Sequence, residues 1–264
     1  FLPNFRTGDV VVLYERNGAS DNVTNKMVFK GNIELITEHE LRIRLRATQR
    51  NSSVFPLDSH YAVEHDMMDT TFRSMYLGLS AFLDANPERR ELLLGQRSPR
   101  FDSAFDTEIA GASDDFERVA LKAEAAHDYF LLVGPPGTGK TSRALRRMVE
   151  HFYAVPSKQI LLLAYTNRAV DEICQSLSSI TPAIDYIRVG SELSCDTRFR
   201  AHLLENILAE CNSRREVNIR MAGCRVYVGT VASIAAKPEL FKLKHFDVAI
   251  VDEATQILEP QLLG

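Results

Sequence analysis

The stretch Tyr129-Phe130-Leu131-Leu132-Val133-Gly134-Pro135-Pro136-Gly137-Thr138-Gly139-Lys140-Thr141 decides the fold. An apolar run leads into a glycine-rich loop, and the loop leads into the helix-forming Ser142-Arg143-Ala144-Leu145-Arg146-Arg147-Met148-Val149. Strand, G-x-x-x-x-G-K-[ST] loop and helix start, in that order, make a P-loop. A polyphosphate needs several backbone N–H groups aimed inward, and Gly134, Gly137 and Gly139 remove the Cβ atoms that would obstruct so tight a curl. Pro135, Pro136, Thr138 and Ser142 complete the phosphate-binding stretch. The helix N-terminus adds partial positive charge. Lys140 brings a full charge to the β- and γ-phosphates, and the Thr141 hydroxyl is placed to ligand Mg²⁺.

Downstream, apolar and helical segments alternate, which predicts an α/β fold with a parallel sheet covered on both faces. Strands are expected at Gln159–Tyr165, Ala183–Val189, Arg225–Val228 and Phe246–Val251, and helices at Arg168–Leu177 and Thr197–Glu210. The last strand runs into Asp252-Glu253-Ala254-Thr255-Gln256. Asp252 thus emerges at the carboxyl end of a buried strand, the edge where ligands bind in such sheets. Beside a P-loop, Asp252 is expected to hold the metal and Glu253 to act as general base. The competing reading is an acidic cap on the next helix.

The first third reads as β. Asp9–Glu15, Lys26–Ile36 and Glu40–Ala47 are apolar-rich and separated by turns such as Asn17-Gly18, predicting a small barrel over residues 1–66. Leu41, Ile43 and Leu45 alternate with Arg42, Arg44 and Arg46, so one strand face is apolar and the other cationic. With Arg50 the arginines suit phosphates; the alternative is a solvated face balanced by Glu34, Glu38 and Glu40. From Asp69 to Gln96 the period becomes helical, with Phe72, Met75, Tyr76, Leu79, Phe82 and Leu83 on one stripe and a break at Pro87. Residues 67–110 are therefore expected to be stalk helices and a linker, centred on Ser98–Ser113, and residues 111–264 a nucleotide domain.

Composition sets outer bounds. The 264 residues are 45% hydrophobic and 25% charged, ordinary for a globular protein. A net charge of −4 means that nucleic acid would have to meet local basic patches rather than a global field. Cys174, Cys195, Cys211 and Cys224 form no C-x-x-C pair, which favours reduced structural thiols over a zinc or iron–sulfur site and a cytoplasmic or nuclear rather than secreted protein. No uninterrupted run of 18 apolar residues is present, so no membrane span is expected. The chain opens Phe1-Leu2-Pro3 and stops at Gly264, as a piece of a longer protein would.

Taken together, the P-loop, Ala164-Tyr165-Thr166-Asn167-Arg168-Ala169-Val170-Asp171, Val228-Gly229-Thr230 and Asp252-Glu253-Ala254-Thr255-Gln256-Ile257-Leu258-Glu259-Pro260 resemble the first RecA-like domain of superfamily 1 helicases. The branch is that of the nonsense-mediated-decay RNA helicase and the replication helicase-nucleases. The resemblance covers roughly Asp115 to Gly264. It implies an ATP hydrolase, with Mg²⁺, that moves 5′ to 3′ on single-stranded DNA or RNA. Residue by residue, it implies Gly137, Gly139, Lys140 and Thr141 for phosphate and Mg²⁺, Gln256 for sensing the γ-phosphate, and Thr166, Asn167 and Thr230 for contact with the strand backbone. On residue type alone, Thr166 and Asn167 equally suit helix caps. The amino-terminal barrel and stalk would correspond to an insert of this branch.

Two departures stand out. The family carries a Gln upstream of the P-loop that reads adenine, whereas Asp114–Val119 holds Phe116 and Glu117 and no Gln. A second RecA-like domain with its arginine fingers does not occur within the 264 residues, so this segment is expected to bind nucleotide but not to unwind. An ATP-gated AAA+-like remodeller or protein-clamping switch is the alternative.

Overall fold

A computed structural model of the protein describes residues 5, 7–47, 49, 51–66, 70–135 and 137–263. Pro136 and Arg50, both named above, lie outside the described residues. The chain divides into two compact units, Phe1–Thr70 and Thr71–Gly264.

In the first unit, β1 (Val10–Glu15), β2 (Val28–Ile36), β3 (Leu41–Leu45) and β4 (Tyr61–His65) form one antiparallel sheet in the order β3-β2-β1-β4. Val11, Val12, Tyr14 and Ile33 are its buried hydrophobic residues, with Val12 and Tyr14 on one face of β1 and Val11 on the other. Gly31 is needed where β2 meets β3, because a Cβ there would stand 2.8 Å from the Arg44 carbonyl oxygen. The expected barrel is corrected to an open sheet: among the described residues β3 and β4 do not pair, and four short strands leave two free edges.

The second unit begins with α1 (Thr70–Asp84) and α2 (Pro87–Leu93). The break between them follows from Asn86, whose side chain accepts from Arg89 N at 2.8 Å, with Pro87 at the first helical position. On α1, Tyr76, Leu79 and Leu83 are exposed, so the stripe read from the sequence is only partly covered; the Phe72 side chain lies outside the described residues. Within the expected linker, α3 (Asp106–Ala110) forms, Asp102 N donates to Ala125 O, and Arg100 donates to Asp128 through its backbone and guanidinium.

Next come α4 (Asp115–Ala125), the phosphate loop, a π-helical turn (Lys140–Leu145) and α5 (Arg146–Tyr153). The chain then alternates: β5 (Ile160–Ala164), α6 (Asn167–Ser178), β6 (Tyr186–Val189), α7 (Leu204–Ala209), α8 (Arg214–Gly223), β7 (Val226–Thr230), α9 (Val231–Ala235), α10 (Glu239–Leu243), β8 (Val248–Val251) and α11 (Glu259–Leu263). The four strands are parallel, in the order β6-β7-β5-β8. Side chains i and i+2 of β5 divide the core. Ile160, Leu162 and Ala164 pack with Val149, Phe152, Val170 and Ile173, while Leu161 and Leu163 pack with Tyr227, Ile207 and Ile234. A sheet covered on both faces is what the continuous apolar run of β5 requires.

Three local readings are revised. Tyr129–Val133 is not a strand: it joins no ladder, and Leu131 and Val133 are 73% and 91% exposed. Apolar residues make a strand only where a neighbouring strand takes up their N–H and C=O groups, and the described strands offer this run none. The helix expected over Thr197–Glu210 breaks at Leu203, which adopts extended angles and bridges Arg188 of β6. Finally, α8 was not foreseen. Its signal was present in Ser213-x-x-Glu216: Ser213 accepts from Glu216 N as the N-cap, and Glu216 accepts from Asn212 N, one residue ahead of the cap.

Two charged groups tie the elements together. Arg188 on β6 is 1% exposed and donates to Asp171 on α6 and to Ser194 O. Asp171→Ala should therefore cost about 3–5 kcal/mol in urea unfolding, because it strands a buried guanidinium; a loss within about 0.5 kcal/mol, as at an ordinary surface site, would show that the pair is not structural. Ahead of the phosphate loop, Arg97 and Arg100 both donate to Asp128 and hold its carboxyl well below the usual carboxylate range. A depressed folded-state value gives stabilisation that is complete above the unfolded value, about pH 4, and lost as pH falls through the folded value. Denaturation midpoints should thus drop below about pH 4 in the wild type and do so less steeply in Asp128→Asn.

Candidate nucleotide site and the adjoining sheet edge

Gly137 and Gly139 both have φ of +81°, a conformation that side chains resist, and the loop between them turns back on itself. Gly134 faces Thr138: a Cβ there would lie 3.1 Å from the Thr138 hydroxyl oxygen, which donates to Pro135 O at 2.8 Å. The Lys140 ammonium donates to Gly134 O and to Pro135 O. It is thereby folded across the mouth of the loop. Arg143 N and Ala144 N both donate to Gly139 O, and this wide π turn starts the helix. Such turns concentrate at functional sites. Ser142 is exposed beside it.

From the other side comes the end of β8. Asp252 N donates to Leu163 O at 2.8 Å, which fixes the strand end against β5. The Thr141 hydroxyl then donates to Asp252 Oδ2 at 2.7 Å, across 111 positions of sequence. Two hard oxygen donors side by side suit Mg²⁺, which takes one or two protein ligands together with phosphate oxygens. Among the described residues no cluster of three or more His, Cys, Asp or Glu is present, so the remaining ligands would have to come from nucleotide and water.

Glu253 follows in the left-handed region, with φ +50° and ψ +40°, the one non-glycine residue with positive φ among those described. Strained backbone of this kind costs about 1–3 kcal/mol and gathers where function demands a particular side-chain direction. Its carboxylate is exposed and accepts from Gln256 Nε2 at 2.7 Å. Asp252, Glu253 and Gln256 therefore stand together at one strand end.

Thr166 and Asn167 lie at the carboxyl end of β5, and Thr230 at the corresponding position of β7, opposite Ala164. Both threonines are helix caps: Thr166 Oγ1 accepts from Ala169 N at 3.1 Å, and Thr230 Oγ1 accepts from Ser233 N at 3.0 Å. Thr166 remains exposed. Thr230 does not: it is 6% exposed and shares its hydroxyl with Ser233 Oγ. Sequence reasoning passed over Tyr165 and Arg168, which flank Thr166 and Asn167 and are exposed; an aromatic and a cation interrupting buried residues were the available signal.

In the first unit the arginine face is balanced. Arg42 pairs with Glu40 at 2.8 Å, Arg44 with Glu34, and Arg46 donates to Asn32 Oδ1 at 3.1 Å. This is the balanced, solvated face that the sequence offers as the alternative to a grip on phosphate, with Arg42 and Arg44 paired yet still exposed.

The four cysteines are free thiols. Burial pushes Cys174 up to about 12 and Cys224 up to about 11, which keeps both neutral and unreactive. No helix among the described residues is long and apolar enough to cross a membrane.

Comparison with known proteins agrees with this geometry. An AAA domain family (AAA_11) matches residues 112–222, from before α4 to the end of α8. The DNA replication ATP-dependent helicase/nuclease JHS1 of Arabidopsis thaliana is 27% identical over 98% of this chain and 20% of its own length. The DNA replication ATP-dependent helicase/nuclease DNA2 of Gallus gallus is 26% identical over 99% of this chain and 27% of its own. The RNA helicase Mov10l1 of Mus musculus is 30% identical over 51% of this chain and 11% of its own. The chain thus spans between a tenth and about a quarter of the length of these relatives. It is similar to an AAA domain family over residues 112–222 and, in sequence, to replication helicase/nucleases and an RNA helicase.

Proposed function

We propose that this chain is the nucleotide-binding part of a helicase motor that couples ATP hydrolysis to movement along single-stranded DNA or RNA. The observation that carries the reading is the Thr141–Asp252 hydrogen bond, which brings the phosphate loop and the acidic strand end to one point. The relatives named above, two helicase/nucleases and an RNA helicase, support the same activity.

In this reading, ATP lies with its β- and γ-phosphates in the loop of Gly134–Thr141. Lys140 leaves the carbonyls of Gly134 and Pro135 and turns to the phosphates, where a full charge stabilises the transferring group more than it does the ground state. Mg²⁺, held by Thr141 and Asp252, would supply neutralisation of charge between phosphate oxygens. Glu253 orients the attacking water and takes its proton. Gln256, bonded to Glu253, is the residue through which the state of the γ-phosphate reaches the rest of the domain. Thr166 and Asn167 sit at the carboxyl edge of the same sheet, where short polar groups can reach the strand backbone. A second RecA-like domain, supplied outside these 264 residues, would complete the site and convert hydrolysis into stepping. The segment by itself would bind nucleotide and turn it over slowly at most.

Lys140→Ala should weaken Mg²⁺-ATP binding by titration calorimetry about 10–100-fold, the loss of one charge-assisted contact. Binding unchanged within about twofold would remove the loop from the site. Thr141→Val should leave metal-free ATP binding intact while abolishing the gain that Mg²⁺ brings, and an undiminished gain would reassign the metal. In the full-length protein Glu253→Gln should preserve nucleotide affinity and lower single-strand-stimulated hydrolysis about 10²–10⁴-fold. Undiminished turnover would show that another group accepts the proton.

A further inference from the structure

Phe116, on the first turn of α4, lies 5.8 Å from the Arg143 guanidinium, measured to the ring centroid. Arg143 belongs to the π turn directly after the phosphate loop. Its stem runs so close to the loop that a Cβ on Gly139 would meet its Cδ at 3.3 Å. The side chain therefore bridges the end of the phosphate cradle and an aromatic ring. Arg143 is exposed and Phe116 half-buried, so the pair presents flat, accessible surface one helical turn from the loop. In the nucleotide reading given above, phosphates in the loop would leave the sugar and base to pass that end.

Edge-selective recognition of a base needs donors and acceptors free to meet it. The polar side chains around Phe116 are committed elsewhere. Asp114 accepts from Glu117 N at 2.7 Å, and Asp115 accepts from Arg118 at 2.6 Å. Glu117 accepts from both the hydroxyl and the N–H of Ser113 and faces Arg147 at 3.6 Å. These are the cap and first turn of α4, where the bonds hold the Asp114 and Glu117 carboxyls below their ordinary range. No Asn or Gln occurs between Ala112 and Lys158, so no side-chain amide is available from this part of the chain. What remains is a ring and a planar cation, and both stack on the π face that every base carries.

We propose that the nucleobase is held by stacking on the Phe116–Arg143 pair without recognition of its edge, so that the site takes purine and pyrimidine nucleoside triphosphates alike. This rests on the nucleotide reading given above and specifies its substrate class. The same chain supplies the test, through displacement of ribose-labelled mant-ATP, with Mg²⁺, by ATP, GTP, CTP, UTP and base-free tripolyphosphate. The four inhibition constants should agree within about fivefold, and each nucleotide should surpass tripolyphosphate by a shared factor of about ten. Phe116→Ala should shrink that shared factor and leave tripolyphosphate unchanged. Arg143→Met, at an exposed position, should act in the same direction and serves where the phenylalanine variant does not fold. An advantage of ATP over the other three beyond about 30-fold would overturn the inference while leaving the phosphate site standing. So would two folded variants that keep the full nucleoside advantage. Failure of mant-ATP to bind, or of tripolyphosphate and all four nucleotides to displace it, would instead remove the phosphate site, and the base site with it.

Discussion

The hydrogen bond from Thr141 to Asp252 is the contact on which the functional arrangement depends. Neither residue is informative alone: a threonine at a helix start is a common capping group, and an aspartate after a strand is a common turn residue. Their meeting requires the whole parallel sheet. β8 must lie beside β5 in register, with Asp252 N on Leu163 O, and the helix of the phosphate loop must pack across the same sheet face through Leu145, Met148 and Val149. Burial of these apolar residues, each worth about 1.5–3 kcal/mol, supplies the rigidity that keeps the Thr141 hydroxyl and the Asp252 carboxylate at a fixed separation. Function here is a product of core packing.

The same constraint explains what surrounds the site. Lys140 turns back on the carbonyls of its own loop, and Gln256 is bonded to Glu253, so in this structure the charged groups of the site are met by neutral polar partners. Binding of a triphosphate must exchange these contacts for better ones. The left-handed backbone at Glu253 turns the chain out of the strand direction there, and its carboxylate meets Gln256. Behind the edge, Arg188 and Asp171 bind α6 to β6, which holds the helix carrying Thr166 and Asn167 in place.

How much of this was legible in the sequence varies with the length scale of the interaction. The P-loop could be read because its demands are local: glycines at left-handed positions and Lys-Thr at the helix start follow from the geometry of phosphate binding. The two-sided burial of runs such as Ile160–Ala164 was equally open, since five consecutive apolar residues suit a strand in a sheet covered on both faces. Tyr129–Val133 was misread because strand formation is a property of pairs, and an apolar run carries no information about whether a partner edge reaches it. The barrel failed for a related reason: closure depends on whether β3 meets β4, which alternation within each strand does not specify. The burial of Thr230 was hidden, and the pairing of Arg42 and Arg44 left open, because side-chain satisfaction depends on tertiary neighbours, Ser233 in one case and Glu40 and Glu34 in the other. By contrast, the capping pattern at Ser213 and Glu216 was written in the sequence and announced α8.

The claim on which all of this stands is that loop and strand end share one metal–nucleotide. A crystal structure of this chain with Mg²⁺ and a non-hydrolysable ATP analogue measures it most directly. The metal is expected about 2.0–2.1 Å from Thr141 Oγ1 and within one water of Asp252, with the γ-phosphate facing Glu253. A nucleotide seated away from Lys140, or a metal beyond the reach of a single bridging water from both Thr141 and Asp252, would contradict it.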